Sequence, residues 1–285
     1  MTQAAQAPGN VGESRGRRVP RVVVSGATGK TGNAVAHGLA DNADVELVAC
    51  VAPSAAGTPT RELPTDVERA ASLDELSAEF DVLADLTNAE AAVANVEAAL
   101  ERGVHVVLGT TGLDDAWLEA MGARFAERGL GLLYAPNFSL GAVLMMRFSA
   151  EAARYLPGIE ILEIHHEAKL DAPSGTAKRT AQLAARARRD AGVAAPDDTD
   201  DTDATAAQFP STQPALGELV DGVPVHSMRL PGTVAHQQVV LTDAGQMLTI
   251  RHDALDRSSY ASGVALAARR VMDTTGLTIG LEQLL

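Results

Sequence analysis

The stretch HHEAKLDAPSGTA, residues 165–177, crowds His165, His166, Glu167, Lys169 and Asp171 against a turn. A histidine takes or gives a proton near neutral pH, and a lysine beside it adds positive charge or a second proton. The preceding GIEILEI alternates as a strand does, which predicts a strand over 158–169. On that strand Glu163, His165, Glu167 and Lys169 share one face, and Ile164 and His166 take the other. His165 and Lys169 then project into one site. DAPSG turns the chain, with Pro173 stiff and Gly175 permissive. Ser174 or Thr176 caps the next helix, whose free N–H groups attract an anion. Acid–base groups beside an anion cradle suit a carboxylate-bearing substrate. A His–His pair in a strand and a Ser-Gly-Thr cap are also compatible with a purely structural role. His165 and His166 diverge, and no convergent Cys or Asp set accompanies them, so no metal site is expected.

A second signal is GATGKTG, residues 26–32, between an apolar run and a helical pattern. Gly26, Gly29 and Gly32 form a G-x-x-G-x-x-G loop, with Ala27, Thr28, Lys30 and Thr31 between them. Such glycines permit a tight turn and let backbone approach a pyrophosphate at the helix start. The pattern calls for an acid about 20 residues on, to bond the adenosine ribose. That count from Gly32 lands on Ala52. Nothing there repels a 2′-phosphate, which tilts the expectation toward NADPH with NADH left open. Lys30 and Arg61 are candidate partners for that phosphate. GTTG, 109–112, and APNFS, 135–139, fall at the carboxyl ends of later strands, where ligands sit in open α/β sheets.

The elements that must position these residues alternate. Strands are predicted at 21–26, 45–52, 81–87, 104–112 and 130–137, with helical patterns after the first, third and fourth. That order predicts a Rossmann-like, doubly wound parallel sheet. After about residue 140 the pattern changes to two helices and strands near 158–169, 224–232, 235–243 and 246–254, an α+β domain with a mixed or antiparallel sheet. The expected organisation is a loose tail at 1–18, a dinucleotide-binding domain at 19–137, a second domain at 138–256, and a helix within 257–285 that returns to the first domain.

The net charge of −14 disfavours nucleic acid, whose phosphates it repels. Lysine occurs only at Lys30, Lys169 and Lys178, so two of the three lie in the motifs. The acidic run near 196–206 and the scarcity of lysine point to a surface adapted to high salt. The single cysteine, Cys50, excludes a disulfide framework and reads as a core residue. No signal segment or membrane span is recognisable, and a cytoplasmic protein is expected.

In combination, VSGATGKTG, GTTG, APNFSLG, EIHHEAKLDAPSGTA, VHSMRLPGTVAH and DRSSYASG, in this order, resemble the dihydrodipicolinate reductase family. The likeness spans residues 21 to about 263, and the HHxxKxDAPSGTA block is its most specific part. The resemblance implies NAD(P)H-dependent reduction of 4-hydroxy-tetrahydrodipicolinate in lysine and diaminopimelate biosynthesis. It implies that Gly26, Gly29 and Gly32 hold the pyrophosphate. Gly109, Thr110, Thr111, Ala135, Asn137 and Phe138 would line the nicotinamide side. His165 becomes the proton donor or acceptor, with Lys169 its charged partner. His166, Lys169, Gly175 and Thr176 become contacts to the substrate's carboxylates, and the second domain builds a homotetramer. Two other readings compete. The glycine loop also resembles that of NmrA-like redox sensors, which bind NADP without turnover and do not need the HHEAKLDAPSGT block. An acylating aldehyde dehydrogenase would need a nucleophilic cysteine, and Cys50 inside a strand is badly placed.

Overall fold

The computed structural model describes residues 18–53, 62–193 and 214–285. The basic residues of the tail before 18, Arg61 and the acidic run at 196–206 lie outside them. Elements are numbered in chain order. The first sheet contains β1 (Arg21–Ser25), β2 (Glu46–Val51), β3 (Glu68–Ala70), β4 (Val82–Asp85), β5 (His105–Leu108), β6 (Gly131–Tyr134) and β12 (Gly276–Ile279). Their order in space is β12-β6-β5-β4-β1-β2-β3, and every pairing is parallel. The order reverses between β1 and β4, so a crevice opens beyond Ser25 and Asp85.

Both faces of this sheet are covered at its centre, which is why its central strands are nearly continuous apolar runs. Val22 and Val24 of β1 belong to one core layer with Val35 and Leu39 of α1 (Lys30–Ala40) and Val264 and Ala268 of α6 (Ala261–Val271). Val23 points the other way, into a layer with Ala92 and Val96 of α2 (Ala89–Arg102) and Leu118 and Phe125 of α3 (Asp115–Glu127).

The second sheet has the order β11-β10-β7-β9-β8. Its strands are β7 (Gly158–His165), β8 (Glu218–Val220), β9 (Val223–Arg229), β10 (Ala235–Asp243) and β11 (Gln246–Ala254). β7 and β9 are parallel and the other pairs antiparallel, so the sheet is mixed. Helices α4 (Leu140–Ala152) and α5 (Gly175–Asp190) supply Met145, Met146, Ala181 and Ala184 to the core with Ile161, Val239 and Leu241. No helix among the described residues is long and apolar enough to cross a membrane.

Two sequence expectations change. The predicted strand over 158–169 stops at His165. β10 begins with Ala235 opposite His165, and β9 ends with Arg229 opposite the same residue. Beyond that level β7 has no ladder partner on either side, so the chain leaves the sheet. Face-sharing by alternation therefore holds for Glu163 and His165 and does not extend to Glu167 or Lys169. The C-terminal segment is also more than a helix: after α6 it adds β12 beside β6 as an edge strand of the first sheet.

Candidate active site

The glycine loop is built for close backbone approach. Gly26 has φ +82°, and a Cβ on it would lie 2.5 Å from the Leu86 carbonyl oxygen. A Cβ on Gly32 would lie 2.2 Å from the Gly26 carbonyl oxygen, while one on Gly29 would meet that atom at 3.3 Å. The Gly29 N–H donates to the same carbonyl at 3.0 Å, folding the loop onto itself. Asn88, Asp114 and Ser174 cap α2, α3 and α5 through their side chains. Helix α1 has no side-chain cap and no acid in its first turn. That bare helix start, crossed by tightly wound glycines, fits a dinucleotide pyrophosphate. Ala27 and Gly32 are buried there, Thr28 and Thr31 half-buried, and Lys30 exposed.

Beside the loop, Asp85 ends β4 fully buried. Its carboxylate accepts from the Thr87 N–H at 3.2 Å, the Thr87 hydroxyl at 2.8 Å, the Thr110 hydroxyl at 2.7 Å and the Asn95 amide at 2.7 Å. Thr110 is thereby turned inward, pinning the GTTG turn to β4, while Thr111 is exposed. Gly109 lies so close to the Phe138 ring that a Cβ would approach within 3.0 Å. Ala135 and Phe138 are buried behind it. Asn137 accepts from the Ser139 N–H at 2.9 Å and donates to the Thr176 hydroxyl at 3.1 Å. That last bond brings the turn after β6 onto the start of α5.

On the facing side His165 ends β7, its Nδ1 hydrogen-bonded to Glu163. Glu163 is fully buried. Arg229 grips both carboxylate oxygens at 3.0 Å, and the Ser174 N–H adds a bond at 3.2 Å. Burial pushes the Glu163 carboxyl up, but hydrogen bonds from His165, Arg229 and Ser227 outweigh it and hold it at about 2. The same guanidinium donates to the carbonyls of Lys169 at 3.2 Å and Asp171 at 2.6 Å. It fastens the turn as well as the carboxylate.

His165, Asn137, Thr176, His236, Gln237 and His252 line one small cavity. His236 pairs with Asp253 at 2.7 Å, and His252 with the Ser139 hydroxyl at 3.1 Å. Burial lowers the His252 imidazole below its ordinary value, despite Asp253. The Thr180 hydroxyl donates to the Thr176 carbonyl at 2.8 Å, so it accepts from the Gln237 amide at 2.7 Å. The Gln237 Oε1 is left without a partner among the described residues.

The structure brings His165 and Thr176 together and leaves Lys169 outside the cavity wall. The Lys169 ammonium instead donates to Asp171 at 2.7 Å, holding that carboxyl below its usual range. His166 is half-buried at the head of the turn, its carbonyl accepting from the Lys169 N–H at 3.1 Å. Gly175 begins α5 with open space where a Cβ would stand. Arg257 lies half-buried at the return to the first domain, and His226 sits in register with Leu162 on the other face of β7 from Glu163. Cys50 is buried, and burial pushes its thiol up to about 11 despite nearby Arg69, which removes it as a nucleophile. Nothing in the sequence signals the pairing of Arg229 with Glu163. Asp85 and Gln237 carry no sequence signal of their own.

A glycine loop at the switch point of a parallel sheet, faced by a second domain that brings acid–base groups and a helix start to its edge, defines a two-domain NAD(P)-dependent oxidoreductase. The family patterns described as dihydrodipicolinate reductase, N-terminus and C-terminus, match residues 20–138 and 141–285. A 4-hydroxy-tetrahydrodipicolinate reductase of Streptomyces coelicolor is 44% identical over 268 residues, 93% of this chain and 97% of the relative. One of Desulfitobacterium hafniense is 40% identical over 274 residues, 93% and 98% of the two chains. The dipicolinate-bound dihydrodipicolinate reductase of Paenisporosarcina sp. TG-14 superposes with a TM-score of 0.79 at 36% identity, covering 94% of this chain and 100% of that one. This chain belongs to the dihydrodipicolinate reductase family.

Proposed function

We propose that the chain reduces 4-hydroxy-tetrahydrodipicolinate to tetrahydrodipicolinate with NAD(P)H, in lysine and diaminopimelate biosynthesis. The observation that carries this reading is the Asn137–Thr176 hydrogen bond, which sets the crevice of the first sheet against the helix start beside His165. Bound in that crevice, a dihydronicotinamide supplies the hydride; one proton completes the reduction as the substrate's hydroxyl departs as water. Gly26, Gly29 and Gly32 with the start of α1 hold the pyrophosphate. Gly109, Thr110, Thr111, Ala135, Asn137 and Phe138 shape the wall for the ring. The N–H groups at Gly175 and Thr176 take one substrate carboxylate. Lys169 exchanges Asp171 for a substrate carboxylate, with His166 beside it. His165 exchanges the proton. Fixing both carboxylates orients the substrate ring against the cofactor face.

NADPH is the preferred cofactor in this reading. Ala52 follows β2, and no carboxylate occurs between Glu46 and Glu62, so nothing in that span opposes a 2′-phosphate. A cytoplasmic homotetramer completes the proposal; its assembly through the second sheet is supported by exposed Leu219, Met228 and Met247 on the face turned away from the core. The test follows NAD(P)H absorbance with freshly generated substrate, each cofactor in turn. His165→Ala and Lys169→Ala are expected to lower kcat at least about 100-fold while cofactor affinity barely moves. Near-wild-type turnover in both variants would overturn the residue assignment. Cofactor binding without oxidation on any dicarboxylate would favour the sensor alternative.

A further inference from the structure

Glu163 is difficult to explain by stability. A buried ion pair is often replaceable by apolar side chains of similar shape without loss, because removing two charges from water costs about as much as their attraction returns. Yet β7 carries a fully buried carboxylate two residues before the candidate proton-exchange group, and β9 supplies Arg229 to hold both its oxygens. The remaining bonds have a direction: the Ser174 amide donates from the start of α5, and His165 binds through Nδ1. An ionised carboxylate only accepts, so Nδ1 must carry hydrogen. Nε2 is then the one ring atom able to take up or release a proton toward the cavity.

Resting on the reaction assigned above, we propose that Glu163, clamped by Arg229, is the positioning residue for His165, committing Nδ1 inward and presenting Nε2 to the substrate. In this arrangement the proton passes between Nε2 and the substrate, and Glu163 stays ionised throughout. Other titratable groups around His165 are His236 on β10, His252 on β11, Tyr260 after β11, and Lys169 and Asp171 on the following turn. Arg229 bears on the same Glu163 oxygen that His165 Nδ1 binds, and its guanidinium is shared with the Lys169 and Asp171 carbonyls.

The test uses full-length Glu163→Gln, the double variant Glu163→Gln/Arg229→Gln, Glu163→Asp and His165→Ala. The double variant leaves no uncompensated guanidinium to unsettle the fold. Expected are a fall in kcat on the order of 100-fold for Glu163→Gln and the double variant, and an unchanged KM for NAD(P)H. Glu163→Asp should recover part of the loss. Nitrogen-15 NMR of the wild type should show His165 protonated at Nδ1 when neutral, and the variants a mixture of tautomers. Wild-type kcat in a folded double variant, or an Nε2–H tautomer in the wild type, would overturn the proposal. If His165→Ala itself keeps turnover, the site assignment has failed instead. If His165→Ala is inactive and the double variant is not, only the positioning role has failed.

Discussion

Gly175→Ala separates the demands of folding from those of binding, because the two should respond with opposite sign. Gly175 is the first residue of α5, has no positive φ, and faces open space where a Cβ would be added. Nothing in the protein objects to alanine. Restricting the unfolded chain should stabilise the fold by about 0.4–1 kcal/mol, which for a chain of this size raises Tm by roughly 1–4 °C. If a substrate carboxylate rests against the N–H groups of this helix start, the new methyl occupies its approach. Losing or lengthening one charge-assisted hydrogen bond costs about 1.5–3 kcal/mol, equivalent to a roughly 10- to 150-fold weaker grip on the substrate. Thermal unfolding and steady-state kinetics on one preparation read both effects. The expected variant melts at or above the wild-type temperature, with a substrate KM raised at least about tenfold and an unchanged KM for the cofactor. A variant with wild-type substrate KM would show that the carboxylate binds elsewhere.

Gly32→Ala puts a Cβ 2.2 Å from the Gly26 carbonyl oxygen, while Gly29→Ala meets it at 3.3 Å. The first must push the loop by about 1 Å and weaken NADPH binding on the order of 10- to 100-fold, and the second should change it only about threefold or less; fluorescence titration measures both, and equal effects would mean the loop does not cradle the cofactor. Glu163 should shape acid stability. Its folded carboxyl sits at about 2, below the ordinary 4.5, so its contribution is fully present above pH 4.5 and is lost as pH falls toward 2. The shift corresponds to about 3 kcal/mol, and denaturant unfolding between pH 6 and 3 should show a flatter pH dependence in Glu163→Gln than in the wild type.

The parallel sheet is legible in the sequence because buried strands are unbroken apolar runs punctuated by glycine turns. Its two edge strands are harder to see. Glu68–Ala70 is three residues long with two of them charged, and Gly276–Ile279 is only four residues, too short for its alternation to stand out. Glycine spacing reveals the loop at 26–32 because steric need is local. The clamp on His165 is not local. Glu163 and Arg229 are 66 residues apart and meet because β7 and β9 pair with His165 opposite Arg229. A charged residue in a strand reads as a solvent-facing position until that register is known. Lys169 shows the converse: alternation along 158–169 extrapolates a strand past the point where both neighbours end.

The chain passes from the first sheet to the second through residues 135–139 and comes back through 255–260, side by side. The Ser139 hydroxyl meets His252 at 3.1 Å, and Gly263 leaves no room for a side chain beneath the Phe138 carbonyl. Two adjacent crossings define an axis, as the pins of a door do, and confine any relative movement of the lobes to a swing about it. Arg179 of α5 reaches Glu282, just past the edge strand, at 3.0 Å and acts as a stay away from that axis. Glu282→Ala would release the stay while keeping both pins and the buried Leu281 that packs beside it, without removing any group that meets the reactants.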